Sequence, residues 1–318
     1  MINYSIIIPH YNTPDLLKRC LDSIPQRDDI QTIVVDDCSS LDNILLLNKI
    51  EQEYPNTLFR YSEKNGGAGV ARNIALQYAT GEWVLFADAD DYFLKDAFYI
   101  FDKYSNSKED AILFGNKSIS TDNKINTRGN FINNNISYFK RNLISAQTAF
   151  LCSWVPWAKM VKLNYIRSYC FQFDDVKYGN DVFWNAQIAT NTDKIALSQE
   201  PVYAITQEDN SLTTNRNQEA FFIRYNGIKK VNSYLEEKNK TFLKQAITLE
   251  FATWARKNGI LFYIKFIYNS IKNDLLFEGK EMWITFAKIN RNFLGRYPSL
   301  FLFILFFTPS YLLKLIRK

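Results

Sequence analysis

The sequence predicts an α/β fold with a mostly parallel sheet flanked by helices, and three observations support that prediction. Short apolar segments typical of buried strands alternate with helical segments over the first 115 residues. These strand segments end at charged or turn-forming residues, as strands buried on both faces do. Polar side chains follow directly after three of the strands, where open parallel sheets bind ligands.

The first predicted strand covers residues 4–9, and the first helix begins at Pro14. Thr13 precedes that helix as a good N-cap, and Pro14 fits its first position because no N–H is needed there. Later segments continue the alternation. Strands are predicted at 32–36, 58–61, 83–87 and 111–114, and helices at 41–54, 70–79 and about 95–104.

Beyond residue 115 the pattern is less regular. Residues 116–142 are rich in Asn, Ser and Lys, which predicts a long loop or short irregular strands. Regular structure is expected again over 149–166 and 195–206, and amphipathic helical stretches over 217–237 and 241–257. We therefore expect three parts, which are 1–115, 116–215 and a helical C-terminal extension over 216–318.

Charge is unevenly distributed over these parts. Residues 1–215 carry 20 Lys/Arg and 26 Asp/Glu, whereas residues 216–318 carry 18 and 7. A basic C-terminal region favours an acidic partner, either an anionic membrane surface or nucleic acid. No nucleic-acid recognition motif accompanies the charge, so nucleic acid is the weaker of the two.

One histidine, His10, and four widely spaced cysteines exclude several kinds of site. A His-rich zinc site is excluded, a Ser-His-Asp triad is disfavoured, and the isolated cysteines predict a protein of the reducing cytoplasm. The first predicted strand begins at residue 4, so no signal peptide is expected. Residues 10–13 replace the G-x-G-x-x-G of a dinucleotide fold after the first strand, and no P-loop motif is present.

The acidic cluster Asp88-Ala89-Asp90-Asp91 directly follows the apolar strand at 83–87. Crowded carboxylates repel one another unless a cation neutralises them, and hard oxygen ligands suit Mg²⁺ or Mn²⁺ bound with phosphates. Such a cluster alone also occurs as a solvated acidic turn. Because Pro9–Asn12 and Asp36-Asp37 follow two other strands, the cluster predicts a metal site for a phosphorylated ligand.

A glycine-rich segment, Gly66-Gly67-Ala68-Gly69, opens the third predicted helix. The free N–H groups and positive dipole of a helix start favour an anion, and Arg72 lies in the first turn. The same glycines are also explained by a tight loop that binds no ligand.

Together these motifs resemble glycosyltransferase family 2, whose members have the GT-A fold. The resemblance rests on Ser5–Asn12, Val34–Ser39, Asn65–Asn73 and Phe86–Asp91, which match in order, spacing and strand context. It is dense over about residues 4–100 and thinner as far as 215. It implies a Rossmann-like GT-A domain, with the nucleotide-sugar held by residues 1–115 and the acceptor by 116–215.

The resemblance implies a role for each residue of the nucleotide pocket. Tyr11 and Asp37 are expected to contact the base, Asp88 the ribose, and Asp90 a Mn²⁺ or Mg²⁺ ion that bridges the diphosphate. Asp91 is expected to be a supporting or helix-leading carboxylate. The full set of predicted donor-binding residues is Pro9, Tyr11, Asp37, Gly67, Arg72, Asp88 and Asp90.

The resemblance also implies that Asp181 is the catalytic base that takes the proton of the acceptor hydroxyl. Family members carry a Glu-Asp pair before an aromatic residue, and here Asn180 replaces the Glu. Asp174 and Asp175 are nearby substitutes. Asp181 is otherwise an exposed carboxylate at the start of a helix.

Two further segments resemble the family. Trp157-Ala158-Lys159 matches an element beside the acceptor, or else is a buried Trp with a Lys that extends to solvent. Residues 210–214 match a late loop that closes over the donor. Residues 207–209 stand where relatives often have a basic or His residue, so donor closure is expected to differ.

The C-terminal residues 291–318 combine an apolar core with basic flanks. As a helix, residues 298–313 would be about 24 Å long, shorter than the roughly 30 Å hydrocarbon core of a bilayer. We expect this segment to contact an anionic membrane peripherally. The alternative is a terminal helix packed on the protein body or on the second subunit of a homodimer.

The sequence thus predicts a metal-dependent, inverting hexosyltransferase at the inner face of the plasma membrane. Its donor would be a nucleotide-sugar, with a UDP-sugar favoured. Its acceptor would be a saccharide or lipid-linked glycan of surface polysaccharide synthesis. The alternative, favoured by Asn180, is a catalytically weak sugar-nucleotide-binding protein of a membrane assembly complex. A sugar nucleotidyltransferase is disfavoured because Thr13-Pro14-Asp15 is no glycine-rich basic loop.

Overall fold

Strands and helices alternate through the first part of the chain in the computed structural model. The structure describes residues 2–120, 126–206, 217–245, 251, 254–256 and 258–272. The predicted late loop at 210–214, residues 207–209 before it and the basic segment at 291–318 lie outside these residues. The chain divides into a first unit, Met1–Val231, and a second unit, Asn232–Lys318.

The elements up to residue 118 confirm the predicted alternation. They are β1 (Tyr4–His10), α1 (Pro14–Asp22), β2 (Ile30–Asp36), α2 (Leu41–Glu53), β3 (Thr57–Tyr61), α3 (Gly67–Tyr78), β4 (Trp83–Phe86), β5 (Tyr92–Phe93), α4 (Ala97–Asp102) and β6 (Ala111–Ser118). Every residue of β1 and β4 is buried, as expected for inner strands covered on both faces. Helix α3 begins three residues before its predicted start because the glycine segment forms its first turn.

The remaining elements of the first unit include one helix that the sequence did not predict. They are α5 (Asn130–Lys140), α6 (Ala146–Leu151), β7 (Lys159–Lys162), α7 (Leu163–Ser168), α8 (Asn180–Thr190), β8 (Ile195–Ile205) and the start of α9 (Gln218–Glu237). The prediction of a long loop or short strands over 116–142 is wrong for Asn130–Lys140, which form α5. Ile132 and Ile136 of α5 are buried one turn apart, and the Asn133 side chain forms two hydrogen bonds with the backbone of Asn116. These contacts outweigh the low helix propensity of Asn.

The sheet has eight strands among the described residues, in the order β3-β2-β1-β4-β7-β6-β8-β5. The pairs β1–β2, β2–β3, β1–β4 and β6–β8 are parallel, which confirms the mostly parallel sheet. Strand β7 runs antiparallel between β4 and β6, and β5 runs antiparallel to β8. Because β1 lies between β2 and β4, the segments that follow these three strands meet at one edge.

The second unit begins within α9. It contains a short 3₁₀ turn at Thr241–Leu243 and α10 (Ile260–Lys272). The Asn232 side chain accepts the N–H of Gln245 (2.7 Å) and donates to its carbonyl (2.9 Å), which joins α9 to the residues after that turn. Among the described residues, no helix combines the length and apolar character that crossing a membrane requires.

Helix α3 packs closely against residues 173–180, which lead into α8. A Cβ atom at Gly69 would lie 2.6 Å from the carbonyl oxygen of Asp174 and 2.8 Å from Cβ of Asn180. One turn later, the Asn73 side chain donates to the carbonyl of Phe173 and accepts its N–H, both at 2.9 Å. Glycine is therefore required at position 69, because the segment that leads into α8 lies too close to leave room for a Cβ atom.

Substitution of Gly69 tests the close packing of α3 against residues 173–180. We expect Gly69→Ala to reduce the free energy of unfolding by about 1–3 kcal/mol, because the added methyl overpacks the contact with Asp174. The matched control is Gly227→Ala in α9, where a Cβ meets nothing within 4 Å among the described residues. That control should stabilise the protein by about 0.5–1 kcal/mol. Urea unfolding measures both, and equal effects would contradict the packing.

Candidate active site

The carboxyl ends of β1 and β2 are joined by a buried hydrogen-bond network. Asp36 Oδ1 lies 2.7 Å from His10 Nδ1 and accepts the Ser39 hydroxyl at 2.6 Å. His10 Nε2 accepts the N–H of Thr13 (3.2 Å), so the ring proton is on Nδ1. Burial alone would raise the pKa of Asp36, but the hydrogen bonds from His10 and Ser39 outweigh it and lower that pKa. His10 and Asp36 thus fix the loops around the predicted base pocket.

Asp37 binds the glycine segment directly. Its two carboxylate oxygens accept the N–H groups of Gly66 (2.8 Å) and Gly67 (2.7 Å), and its carbonyl accepts the Asn65 amide. Burial raises the pKa of Asp37, while these two N–H groups oppose the rise. The anion at this helix start is therefore a side chain of the protein, so these two N–H groups are already occupied. Tyr11, by contrast, is half exposed at the end of β1.

The acidic cluster follows β4. One carboxylate oxygen each from Asp88, Asp90 and Asp91 lies within 4.8 Å of the others. Asp91 is 1% exposed, and its Oδ2 has no hydrogen-bond partner among the described residues. Burial and the neighbouring charges of Asp90 and Asp88 raise the pKa of Asp91 well above its usual value. Clustered carboxylate oxygens with an unpartnered buried atom fit a Mg²⁺ or Mn²⁺ ion.

Three residues from distant segments hold the backbone of the acidic cluster. Arg19 of α1 and the Thr206 hydroxyl both donate to the carbonyl of Asp90, each at 2.5 Å. The N–H of Thr206 donates to Asp91 Oδ1 (2.8 Å), and the N–H of Asp88 donates to the Tyr203 hydroxyl (2.8 Å). The sequence did not indicate these three residues, because each depends on contacts between segments far apart in the chain.

Arg72 joins the acidic cluster to α8. Its Nη2 forms an ion pair with Asp88 Oδ1 (2.6 Å), and its Nη1 donates to Oδ1 of Asn180 (3.1 Å). The guanidinium is 4% exposed and lies 5.3 Å from the ring centre of Phe173. The structure thus brings together Arg72, Asp88 and the residue that precedes Asp181.

Asp181 lies in the first turn of α8 and is half-buried. Burial raises its pKa to about 6, Asp88 adds to the rise, and the charges of Arg72 and Lys159 oppose it. A carboxylate with this pKa is largely ionised at neutral pH, yet it is basic enough to accept a proton.

The two alternative carboxylates stand in different surroundings. Asp174 Oδ1 forms an ion pair with Lys230 Nζ (2.6 Å), and Asp175 is exposed. Of the three carboxylates, Asp181 is the one that directly follows Asn180, whose side chain accepts a hydrogen bond from Arg72.

Trp157 and Lys159 are both buried, so the alternative to the family interpretation, in which Lys159 extends to solvent, is wrong. The Trp157 ring stacks on Tyr203 with ring centres 5.3 Å apart. Lys159 Nζ donates to the carbonyls of Ser153 and Val155 and to the Asn185 side chain. Pro9 is buried within β1.

A family model described as Glycosyl transferase family 2 matches residues 5–163. A poly(ribitol-phosphate) beta-glucosyltransferase of Bacillus spizizenii is 35% identical over 116 residues, which are 35% of this chain and 18% of that protein. The poly(ribitol-phosphate) beta-N-acetylglucosaminyltransferase TarS of Staphylococcus aureus is 32% identical over 128 residues, or 38% of this chain and 22% of TarS. The match thus spans about a fifth of each relative.

Solved structures resemble the fold over a larger part of the chain. Residues 1–349 of Staphylococcus aureus TarS in complex with UDP-GlcNAc superpose with a TM-score of 0.60 and 21% identity, covering 81% of this chain and 75% of that one. A mannosyltransferase of Pyrobaculum calidifontis, in complex with GDP-Man and Mn²⁺, gives 0.52 and 15%, covering 91% and 86%. At these identities the likeness shows a common fold.

Proposed function

The chain belongs to glycosyltransferase family 2, and from that premise we propose a metal-dependent, inverting transfer of a hexose from a UDP-sugar. The acceptor we propose is a saccharide or lipid-linked glycan in surface polysaccharide synthesis. The observation that carries the proposal is the Arg72 bridge, which brings the acidic cluster at Asp88 beside the α8 turn that holds Asp181.

Other proteins support the choice of donor and acceptor. TarS structures contain UDP-GlcNAc or UDP, and two relatives are named as poly(ribitol-phosphate) glycosyltransferases. A screen for donor hydrolysis with UDP-, GDP-, dTDP- and CMP-sugars, with Mn²⁺ or Mg²⁺, identifies the donor directly.

We assign donor binding to the edge where β1, β2 and β4 end. Tyr11 and Asp37 would contact the base, Asp88 the ribose, and Pro9, Gly67 and Arg72 would line the nucleotide side. Asp90, with Asp88 and Asp91 beside it, would hold the metal ion. When bound, a divalent cation offsets the negative charge that develops on the departing diphosphate. Residues 1–115 then form the donor half of the domain and 116–215 the acceptor half.

Asp181 is the proposed general base. As the acceptor oxygen bonds to the anomeric carbon, its proton passes to the Asp181 carboxylate. The bond from that carbon to the diphosphate oxygen breaks, and its electron pair stays on the diphosphate. A single displacement of this kind inverts the anomeric configuration.

The alternative of a weak sugar-nucleotide-binding protein is not favoured. It rested on Asn180, which replaces a family Glu. In the structure Asn180 still has a role, because its amide oxygen accepts a hydrogen bond from Arg72. Asp181, the proposed base, is retained beside it.

We also propose peripheral contact with an anionic membrane at the inner face of the plasma membrane. Support comes from the basic, apolar sequence of residues 291–318. In α10, Ile260, Leu261 and Ile264 are exposed, and Lys265 follows them directly. Exposed apolar side chains beside basic ones suit an interfacial helix.

Substitution of the proposed base tests the reaction. Asp181→Asn should lower kcat for UDP-sugar turnover by at least about 100-fold with little change in the donor KM, because the amide cannot take a proton. The matched control is Asp175→Asn, an exposed neighbour that should keep wild-type turnover. Unchanged kcat in Asp181→Asn, or a loss confined to Asp175→Asn, would reject Asp181 as the base.

Substitution in the acidic cluster tests the metal. Asp90→Asn keeps the side-chain shape but removes a charge, so calorimetric titration with UDP and Mn²⁺ should show affinity at least about tenfold weaker. Metal-stimulated turnover should fall with it. Asp28→Asn, at an exposed carboxylate, is the control and should bind like wild type. Wild-type affinity in Asp90→Asn would contradict the metal assignment.

Truncation after Tyr297 tests membrane contact. The full chain should sediment with phosphatidylglycerol vesicles and much less with phosphatidylcholine vesicles, with added salt weakening the binding. The truncated chain should stay in the supernatant while keeping donor turnover. Equal sedimentation of the two chains would exclude residues 298–318 as the contact.

A further inference from the structure

Lys159, the first residue of β7, is a buried cation with a complete set of partners. It is 1% exposed, and its Nζ donates to the carbonyls of Ser153 (2.5 Å) and Val155 (2.7 Å) and to Oδ1 of Asn185. The ring centre of Phe150 lies 4.3 Å from Nζ. An ammonium group has three N–H donors, and here each has an acceptor. Burying a charge is costly unless it is satisfied in this way.

One of these contacts reaches the helix that carries the proposed base. Asn185 lies one turn after Asp181 on α8, so the two side chains share a face. The Asn185 amide also donates to the carbonyls of Phe150 (2.9 Å) and Leu151 (3.1 Å). Lys159 and Asn185 together fix the rotation of α8 and hence the direction of Asp181.

The other two contacts hold the turn between α6 and β7. Ala158 has a left-handed φ of +54°, which costs a residue with a Cβ about 1–2 kcal/mol. The bonds from Lys159 to the carbonyls of Ser153 and Val155 brace this turn. Trp157, within the turn, stacks on Tyr203, whose hydroxyl accepts the N–H of Asp88.

We propose that Lys159 is a positioning residue of the transfer reaction: its buried ammonium orients Asp181 through Asn185, and supports Asp88 through Trp157 and Tyr203. It also places a positive charge near the proposed base. This inference rests on the function proposed above for Asp181.

The positive charge of Lys159 should affect the pKa of Asp181, which a side chain that only fills space would not do. Among the described residues, the charged groups that affect Asp181 most are Arg72 of α3, Asp88 after β4 and Lys159 of β7. Arg72 and Lys159 lower the pKa of Asp181, and Asp88 raises it. Burial lowers the pKa of Lys159 itself well below its usual value, and the Asp181 carboxylate opposes that change. The three acceptors around Nζ favour the charged form of Lys159. Removing the Lys159 charge should therefore raise the pKa of Asp181. Turnover, which needs ionised Asp181, would then begin at higher pH.

The experiment compares Lys159→Met and Lys159→Gln with wild type in the full chain. Release of UDP from UDP-GlcNAc with Mn²⁺ is measured across pH 5–9, and thermal unfolding is recorded for each variant. We expect kcat at pH 7 to fall about tenfold and the acid limb to move up by about one pH unit in both variants. Lys159→Gln keeps N–H donors for the carbonyls, so it should fold even if Lys159→Met does not.

The matched control is Lys162→Met on the same strand. Lys162 Nζ lies over the ring of Trp83, 5.2 Å from the ring centre. Its replacement should leave the pH profile unchanged. An acid limb that stays at its wild-type position in both Lys159 variants would overturn the proposal and leave Lys159 a packing role.

Failure of this inference is distinguishable from failure of the proposed function. If Asp181→Asn retains full turnover, the base assignment fails, and the role of Lys159 fails with it. If Asp181→Asn is inactive but the limb does not move in the Lys159 variants, the inference about Lys159 fails alone.

Discussion

The site depends on one buried guanidinium. Arg72 of α3 forms an ion pair with Asp88 after β4 and a hydrogen bond with Asn180 at the start of α8. Three separate segments are therefore held by a single planar group with donors in fixed directions. A lysine has one point of charge and could not serve both acceptors in the same way. A buried charge without partners is strongly destabilising. The folded state therefore needs Asp88 and Asn180 in place as the partners of Arg72.

This constraint explains the neutral residue at position 180. Arg72 already faces Asp88, and Asp181 adjoins Asn180 in the chain. A further carboxylate at 180 would place three negative charges around one cation, and the added repulsion would raise the pKa of Asp181 further. The amide of Asn180 supplies the acceptor that Arg72 needs without adding charge. The departure from the family pattern is thus consistent with a working base.

The sequence allowed prediction of those parts that depend on local pattern. Buried strands such as β1 and β4 are short apolar runs, and the polar residues that follow them must meet once a parallel sheet forms. Tyr203 and Thr206 were not predictable, because their contacts with Asp88 and Asp90 join residues more than a hundred positions apart. Helix α5 was missed for a related reason, since its stability comes from burial and from Asn133 bonding β6. Likewise, no pattern in the glycine segment indicated that Asp37 would occupy its N–H groups.

In the acidic cluster, hydrogen bonds fix the backbone while the carboxylates repel one another. Arg19 and Thr206 hold the carbonyl of Asp90, and Tyr203 holds the N–H of Asp88, so main-chain contacts set the direction of the loop. Burial raises the pKa of Asp91 well above its usual value, and repulsion from the neighbouring charges of Asp90 and Asp88 adds to the rise. A loop held by its backbone can tolerate such repulsion without rearranging. The same contacts keep the oxygens close together, so that the proposed divalent cation would gain their combined attraction at little cost in reorganisation. We therefore expect the residues behind the cluster to contribute to the proposed metal binding alongside the carboxylates.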